Sequence, residues 1–191
     1  LTWAMVKFGA LAVPPLAQMT QHADAHLRHQ AVHVLGKIGG ASAVAPLVTA
    51  LNDSNPTVQI KAAFSLGQIG DVRAIPALIG QFGTANLNVQ NSVNAALERF
   101  GANAVDALAE TLTTPRWHSR KQAAEVLALI AHPRAIPALT QSLSDEHAEV
   151  RFAAISALCE IGTPDTKSAV RPSLADPDPR VQAMARQHLK S

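Results

Sequence analysis

The hexapeptide RAIPAL occurs twice in this chain, at residues 73–78 and 134–139, and the two copies start 61 residues apart. A degenerate copy, AVDAL, lies between them at residues 104–108. The spacing is that of two units of about 31 residues, and self-similarity at such a period is typical of repeat architectures. The chain is therefore predicted to be an array of similar units that stack on their neighbours.

One leucine marks the same position in each unit, and the intervals between successive copies are 31, 31, 30, 31 and 31 residues. These marker leucines are Leu35, Leu66, Leu97, Leu127, Leu158 and Leu189. Small or apolar residues recur eight and four positions before the marker and three after it, which places them on one face of an α-helix. Each unit is therefore predicted to hold an amphipathic inner helix of about 14 residues. A glycine follows at Gly39, Gly70, Gly101 and Gly162, where a left-handed cap is expected, and Ala131 breaks that column.

A second, outer helix is expected in each unit, as at residues 43–51, 73–82 and 134–143. Prolines near the predicted starts cost little, because the first helical N–H groups have no partner within the helix. These prolines are Pro15, Pro46, Pro76, Pro137 and Pro172. No segment alternates with a period of two, so no strand is predicted.

The sequence thus predicts an all-α fold, a right-handed α-solenoid of about six helix pairs. We expect a single repeat domain over residues 1–191, with a partial unit at 1–9 and full units near 10–39, 40–70, 71–101, 102–131, 132–162 and 163–191. Met5, Phe8 and Gly9 align with the repeat columns. We therefore interpret the start as the inner helix of a preceding unit, and the chain as a fragment of a longer protein.

Two stretches carry a family resemblance: DEHAEVRFAAISALCEIG at residues 145–162 and SLGQIGDVRAIPAL at residues 65–78. They resemble the HEAT repeat, in particular its short phycobilisome-lyase-like (PBS lyase HEAT-like) subclass, and the likeness extends over nearly the whole chain. The resemblance implies an armadillo-type superhelix whose inner helices line a concave groove. It also implies that Arg28, Arg120 and Arg151 pair with loop aspartates between units, in a column that holds Gln59, Gln90 and Gln182 elsewhere.

Composition excludes several classes of protein. One cysteine rules out an internal disulfide, and Cys159 falls in a column of small residues, which favours a packed residue over a reactive thiol. A net charge of +2 with 16% charged residues lacks the dense basic stripe of nucleic-acid-binding proteins. No apolar run is long enough to span a membrane. We expect a monomeric, cytoplasmic protein with no cofactor and a protein or peptide partner.

The positions six and two before the marker leucine, and two after it, lie opposite the predicted core and vary from unit to unit. Variable positions in a monotonous repeat are the best candidates for function, and large apolar residues there favour interface hot spots. The alternative, that the aromatic residues pack against neighbouring inner helices, stays open. The predicted partner-binding residues are Trp3, His29, His33, Lys37, Ile60, Lys61, Phe64, Arg99, Lys121 and Phe152.

Catalytic signals are weak. His26, His29 and His33 share a helical stripe and could bind a metal, but no carboxylate lies beside them, which favours a solvated histidine patch. Deoxyhypusine hydroxylase, a HEAT-like enzyme, holds two irons with His-Glu pairs. The best counterpart here is His29-Gln30, in which glutamine replaces the glutamate, so the His-Glu set is missing and this activity is not expected. The leading hypothesis is a non-catalytic scaffold that binds a partner in the concave groove. The resemblance implies one alternative, a phycobilin-lyase-like subunit or chaperone for tetrapyrrole attachment to a phycobiliprotein.

One unit departs from the others. Residues 84–101 carry Asn86, Asn88, Asn91 and Asn94, and Glu98 replaces a small residue. We predict a locally less stable segment here, with a possible bend or hinge.

Overall fold

The computed structural model describes residues 6–190, and Trp3 and Met5 lie outside them. Six inner helices have the predicted length and register: α2 (Ala25–Ile38), α4 (Pro56–Ile69), α6 (Leu87–Phe100), α8 (Trp117–Ile130), α10 (Ala148–Ile161) and α12 (Pro179–Lys190). Six shorter outer helices alternate with them: α1 (Val13–Met19), α3 (Ala41–Ala50), α5 (Ile75–Ile79), α7 (Val105–Thr111), α9 (Ile136–Ser142) and α11 (Pro164–Val170). The described residues contain no strand, and the all-α solenoid prediction is confirmed.

The chain forms two compact units, each of which contains several of the 31-residue repeats. The first unit ends at Phe100 and the second unit begins at Gly101. In the first unit, α4 packs between α2 and α6. In the second unit, α10 packs between α8 and α12. In both units each outer helix packs against the inner helix that follows it. The predicted single domain over residues 1–191 stays a prediction.

The core is built by two columns of leucines that repeat with the period of the sequence. Five of the six marker leucines are completely buried, whereas Leu189 is half-buried. A matching outer-helix column is equally buried and consists of Leu16, Leu47, Leu78, Leu108 and Leu139. The last residue of each RAIPAL copy, Leu78 or Leu139, thus serves the core. Burying one leucine stabilises a fold by about 1.5–3 kcal/mol, so these columns dominate the stability of the array.

Small residues let neighbouring inner helices approach closely. A Cβ atom added at Gly67 on α4 would lie 2.9 Å from the Ala96 Cα on α6. One added at Gly36 on α2 would clash with the Ser65 Oγ on α4. The column of small residues therefore has a packing role.

The outer helices begin differently from the prediction. Each RAIPAL segment enters through a 3-10 turn, at Val72–Ala74 or Pro133–Ala135, before its α-helix starts. The N–H group of Arg73 is bound by the Asp71 carboxylate, and that of Arg134 by the His132 ring, which fixes the turn locally. Two of the prolines predicted to lie near the start of an outer helix lie elsewhere. Pro46 lies inside α3, and Pro172 lies in a 3-10 helix after α11.

Three arginines of the inner helices form the predicted pairs with loop aspartates 25 residues later, here called the arginine ladder: Arg28–Asp53, Arg120–Asp145 and Arg151–Asp176. Each guanidinium makes two hydrogen bonds of 2.7–3.0 Å to its carboxylate. Its Nη1 group also donates to the carbonyl six residues earlier. The ladder ties these three inner helices, α2, α8 and α10, to the loops that follow, and its function is structural.

Glutamine keeps only half of this arrangement. The side chains of Gln90 and Gln182 donate to the carbonyls of Thr84 and Asp176, six residues earlier, at 2.6 Å. The residue 25 positions after Gln59 is Thr84 in place of an aspartate. The link within the repeat is therefore retained at Gln90 and Gln182, whereas Gln59 lacks the charged link to the next loop.

Candidate partner-binding face

The predicted binding residues of the first unit lie on one face of α2, α4 and α6. His29, His33, Ile60 and Lys61 are half-buried, and Phe64 is 52% exposed. Lys37 and Arg99 are also exposed. Phe64 therefore keeps about half of its side chain open to solvent, whereas Ile60 is more covered. Trp3 lies outside the described residues.

Lys61 organises the electrostatics of this face. Its ammonium nitrogen lies 5.1 Å from the centroid of the Phe64 ring, a cation–π contact. Burial first, and then the positive charge of Lys61, lower the pKa values of both His29 and His33. Both rings are therefore neutral at pH 7, and the lysines and Arg99 carry the positive charge of this face.

Arg99 links two inner helices beside a shallow cavity. Its Nε donates to the Gly67 carbonyl and its Nη2 to the Gln68 side chain, both at 3.2 Å. The cavity has a volume of about 360 Å³. It is lined by Phe64, Ser92, Ala95, Ala96, Glu98 and Arg99. An exposed aromatic ring and a positioned guanidinium therefore border the same depression.

The second unit holds a larger cavity, of about 560 Å³, between α8 and α10. It is lined by Lys121, Glu125, Ala128, Leu129, Ala131, Glu149, Phe152, Ala153, Ser156 and Glu160. Phe152 and Leu129 give it an apolar surface, and Leu129 is 52% exposed. Ligand pockets commonly have volumes of 300–1,000 Å³, and the volume of this cavity falls within that range.

Three carboxylates and one ammonium group line the cavity of the second unit. Lys121 pairs with Glu125 one helical turn away, and Glu149 pairs with Arg180 of α12 at 2.9 Å. The guanidinium carbon of Arg180 also lies 5.5 Å from the centroid of the Phe152 ring. Within residues 6–190, Glu160 has no ion-pair partner and is exposed. The cavity is thus apolar with an acidic edge.

The histidine stripe of α2 consists of His26, His29 and His33. His26 Nε2 lies 2.8 Å from the Gln30 side chain, and no group of three metal-ligating side chains occurs within residues 6–190. Cys159 is half-buried, and burial raises the pKa of its thiol to about 11. At neutral pH this thiol is protonated, which agrees with the packed role expected for it.

Sequence reasoning missed two residues of the cavity edge, Glu149 and Arg180. Glu149 lies nine residues before its marker leucine, Leu158, whereas outward faces were assigned six and two residues before the marker and two after it, so these offsets did not select Glu149. The available signal was the repeat itself, since Arg180 follows Glu149 by 31 residues and the two occupy equivalent positions in adjacent repeats.

The comparisons with known proteins agree with this architecture. A family model for HEAT repeats matches residues 12–98, 44–124 and 105–190, which together cover almost the whole chain. The chain belongs to the HEAT-repeat family. The match does not single out the phycobilisome-lyase-like subclass, and it does not support a lyase-like function. No curated protein matches the chain in a sequence search.

Solved structures share the fold at low sequence identity. A chain from a structure of microtubule plus-end tracking by XMAP215, CLIP-170 and EB1 is 19% identical, with a TM-score of 0.71 over 92% of this chain and 89% of that one. An archaeal HEAT-like repeat protein from Thermococcus onnurineus NA1 is 13% identical, with a TM-score of 0.55 over 99% and 91% of the two chains. Computationally designed armadillo repeat proteins for modular peptide recognition are 20% identical, with a TM-score of 0.50 over 93% and 98%.

Among the described residues, no helix has both the length and the apolar character needed to cross a lipid bilayer.

Proposed function

We propose that this chain is a non-catalytic scaffold that binds a protein or peptide partner on the face of its inner helices, the face that lines the concave groove of HEAT-like solenoids. HEAT and armadillo repeats are generally protein-interaction scaffolds. The observation that carries the proposal is that each compact unit has an aromatic residue at a cavity on its inner helices, exposed Phe64 in the first unit and half-buried Phe152 beside exposed Leu129 in the second. Aromatic residues beside charged ones are typical of interface hot spots.

The experiment compares capture of proteins from a cell lysate by the wild-type chain and by K61A/F64A. Lys61 and Phe64 form one cation–π pair on the surface, so their removal leaves the core columns intact. We expect partners to be retained at least about tenfold less, which is the effect of a central hot spot, with little change in melting temperature. A matched control is K167A/L174A, which also removes one cation and one exposed apolar side chain, but from α11 and the 3-10 helix after it.

Capture that K61A/F64A leaves unchanged would place binding elsewhere on the chain. Equal loss in K61A/F64A and in the K167A/L174A control would indicate nonspecific retention and would also overturn the proposal.

A further inference from the structure

The cavity between α8 and α10 differs from the face of the first unit in the sign of its charge. Among the lining side chains of the second unit, carboxylates outnumber ammonium groups three to one. On the first unit, Lys37 and Arg99 are exposed and half-buried Lys61 lies beside the Phe64 ring, with neutral histidines nearby. The two faces therefore favour ligands of opposite charge, although each offers an exposed or half-exposed aromatic ring.

Within the second unit, the chain itself shows which group the cavity wall accepts. Arg180 places its guanidinium over the Phe152 ring while its Nη2 donates to the Glu149 carboxylate at 2.9 Å. An arginine that contacts an aromatic face and a carboxylate together gains from both interactions. Glu149 and Phe152 thus already bind one guanidinium at the cavity edge.

At the opposite end of α10, Glu160 offers a second carboxylate that no cation neutralises within residues 6–190. Glu125 keeps Lys121 as its partner. An arginine or lysine of a ligand can therefore pair with Glu160 while neighbouring apolar side chains of the same peptide cover Leu129 and Phe152, since Phe152 lies only about 12 Å from Glu160 along α10. A phosphate backbone or an acidic peptide would instead meet an excess of like charge, which disfavours binding.

From these contacts we infer that the cavity lined by Phe152, Leu129 and Glu160 binds a peptide segment of a partner protein in which an arginine or lysine neighbours a bulky apolar residue. The inference rests on the proposed function and specifies the chemistry of the partner at this site. The Phe152–Leu129 surface supplies apolar contact, and the acidic edge sets the sign of charge that is selected.

The probe is a random dodecapeptide phage library, panned against the full chain at physiological ionic strength. Enriched peptides are synthesised with a fluorescent label, and their affinities are measured by anisotropy. We expect the enriched sequences to carry a net positive charge and to place arginine or lysine beside leucine, isoleucine, phenylalanine or methionine. Their binding should weaken as salt rises, since exposed charge pairs are screened.

Three variants locate the bound peptide. We expect binding to weaken about thirtyfold for F152A, as for a hot spot, and about threefold for E160Q, as for an exposed charge pair, with a larger loss for E160K. The matched control is E110Q, which removes the same charge from α7 in the same unit, and it should leave affinity unchanged. E160Q and E160K change an exposed side chain, so they stay informative if F152A unfolds the second unit.

The outcomes separate this inference from the proposed function. Acidic or neutral peptides whose binding depends on Phe152 would overturn the inference and leave the scaffold function standing. Peptides that are insensitive to F152A, E160K and K61A/F64A would overturn both proposals, and so would a library that yields no enrichment. Self-association of the chain that E160K abolishes would identify a second copy as the occupant and would overturn the inference.

Discussion

At the scale of single residues, the helix ends show how far local chemistry follows the repeat. Gly70 and Gly162 end α4 and α10 in the left-handed conformation, which glycine adopts without steric cost. Ala131 ends α8 with φ 50° and ψ 41° and is the one non-glycine residue with positive φ within residues 6–190. Its N–H still donates to the Leu127 carbonyl at 2.9 Å, so the cap is retained despite the strain.

Replacing Ala131 with glycine should therefore stabilise the protein. The left-handed conformation costs an L-residue about 1–2 kcal/mol, and part of that gain is offset by the greater freedom of glycine in the unfolded chain. We expect a net gain of about 0.5–1 kcal/mol in the free energy of unfolding, measured by thermal and urea denaturation. Gly162→Ala, at the equivalent position of the same unit, should lose a similar amount. A lower stability for Ala131→Gly would show that its methyl group has a packing role.

At the scale of elements, the arginine ladder shows why the array folds although some repeats lack the arginine–aspartate pair. Arg120 and its partner Asp145 each have a side chain only 9% exposed. Removal of one member of such a pair leaves an uncompensated charge out of water, which costs about 3–5 kcal/mol. Replacement of both members, as at Gln59 and Thr84, avoids that cost.

We accordingly expect D145T alone to destabilise the second unit by about 3–5 kcal/mol, and R120Q/D145T to destabilise it by about 1–2 kcal/mol. The glutamine of the double variant can donate to the Thr114 carbonyl, as Gln90 does to Thr84. Urea denaturation at pH 7 measures both variants, and additive losses from R120Q and D145T would contradict this account.

The effect of the same variants on the free energy of unfolding should depend on pH. Burial works to raise the pKa of Asp145, but hydrogen bonds from Arg120 and the His147 N–H hold that pKa below its ordinary value. A lowered carboxyl pKa stabilises the fold above the unfolded value of about 4 and loses that effect as the pH falls through the folded pKa. The stability difference between wild type and R120Q/D145T should therefore shrink below pH 4.

The elements also show what a sequence of this kind can predict. The inner helices and their left-handed caps at Gly70 and Gly162 were predictable because each depends on residues at fixed offsets within one repeat, whereas Gly39 has positive φ without the left-handed helical ψ. The arginine pairs were expected from the resemblance to HEAT repeats. The 3-10 entry into RAIPAL was missed, because Asp71 and His132 act through local side-chain-to-backbone bonds that helical periodicity does not register. The sequence did not predict the cavity beside Phe152, because its volume depends on how small side chains such as Ala128 and Ala153 pack on two different helices.

At the scale of the whole molecule, the repeats are alike in their core columns and unlike in the links between them. Stability in repeat proteins is approximately a sum of unit terms and nearest-neighbour terms. Arg28, Arg120 and Arg151 supply a charged link to the next loop, whereas Gln59 is followed by Thr84 and supplies none of that kind. The segment from Thr84 to the end of α6 is therefore expected to open more readily than its neighbours.

Amide hydrogen exchange measures that opening directly, because protection reports the free energy of local unfolding. We expect the amides of α6 to exchange about tenfold faster than those of α4 and α10. The variant Q59R/T84D places both members of a ladder pair in the first unit, with the 25-residue spacing of Arg28 and Asp53. It should slow exchange in α6 and leave α10 unchanged.

The single variant T84D is the matched control, since it adds the carboxylate without its arginine and should give little protection. Uniform exchange over α4, α6 and α10 in the wild-type chain would show that the core columns alone determine local stability. Faster exchange in Q59R/T84D than in wild type would show that the glutamine side chain, through contacts of its own, fits this position better than the charged pair. Slower exchange in the double variant alone would identify the missing ladder pair as the reason that this repeat departs from the others.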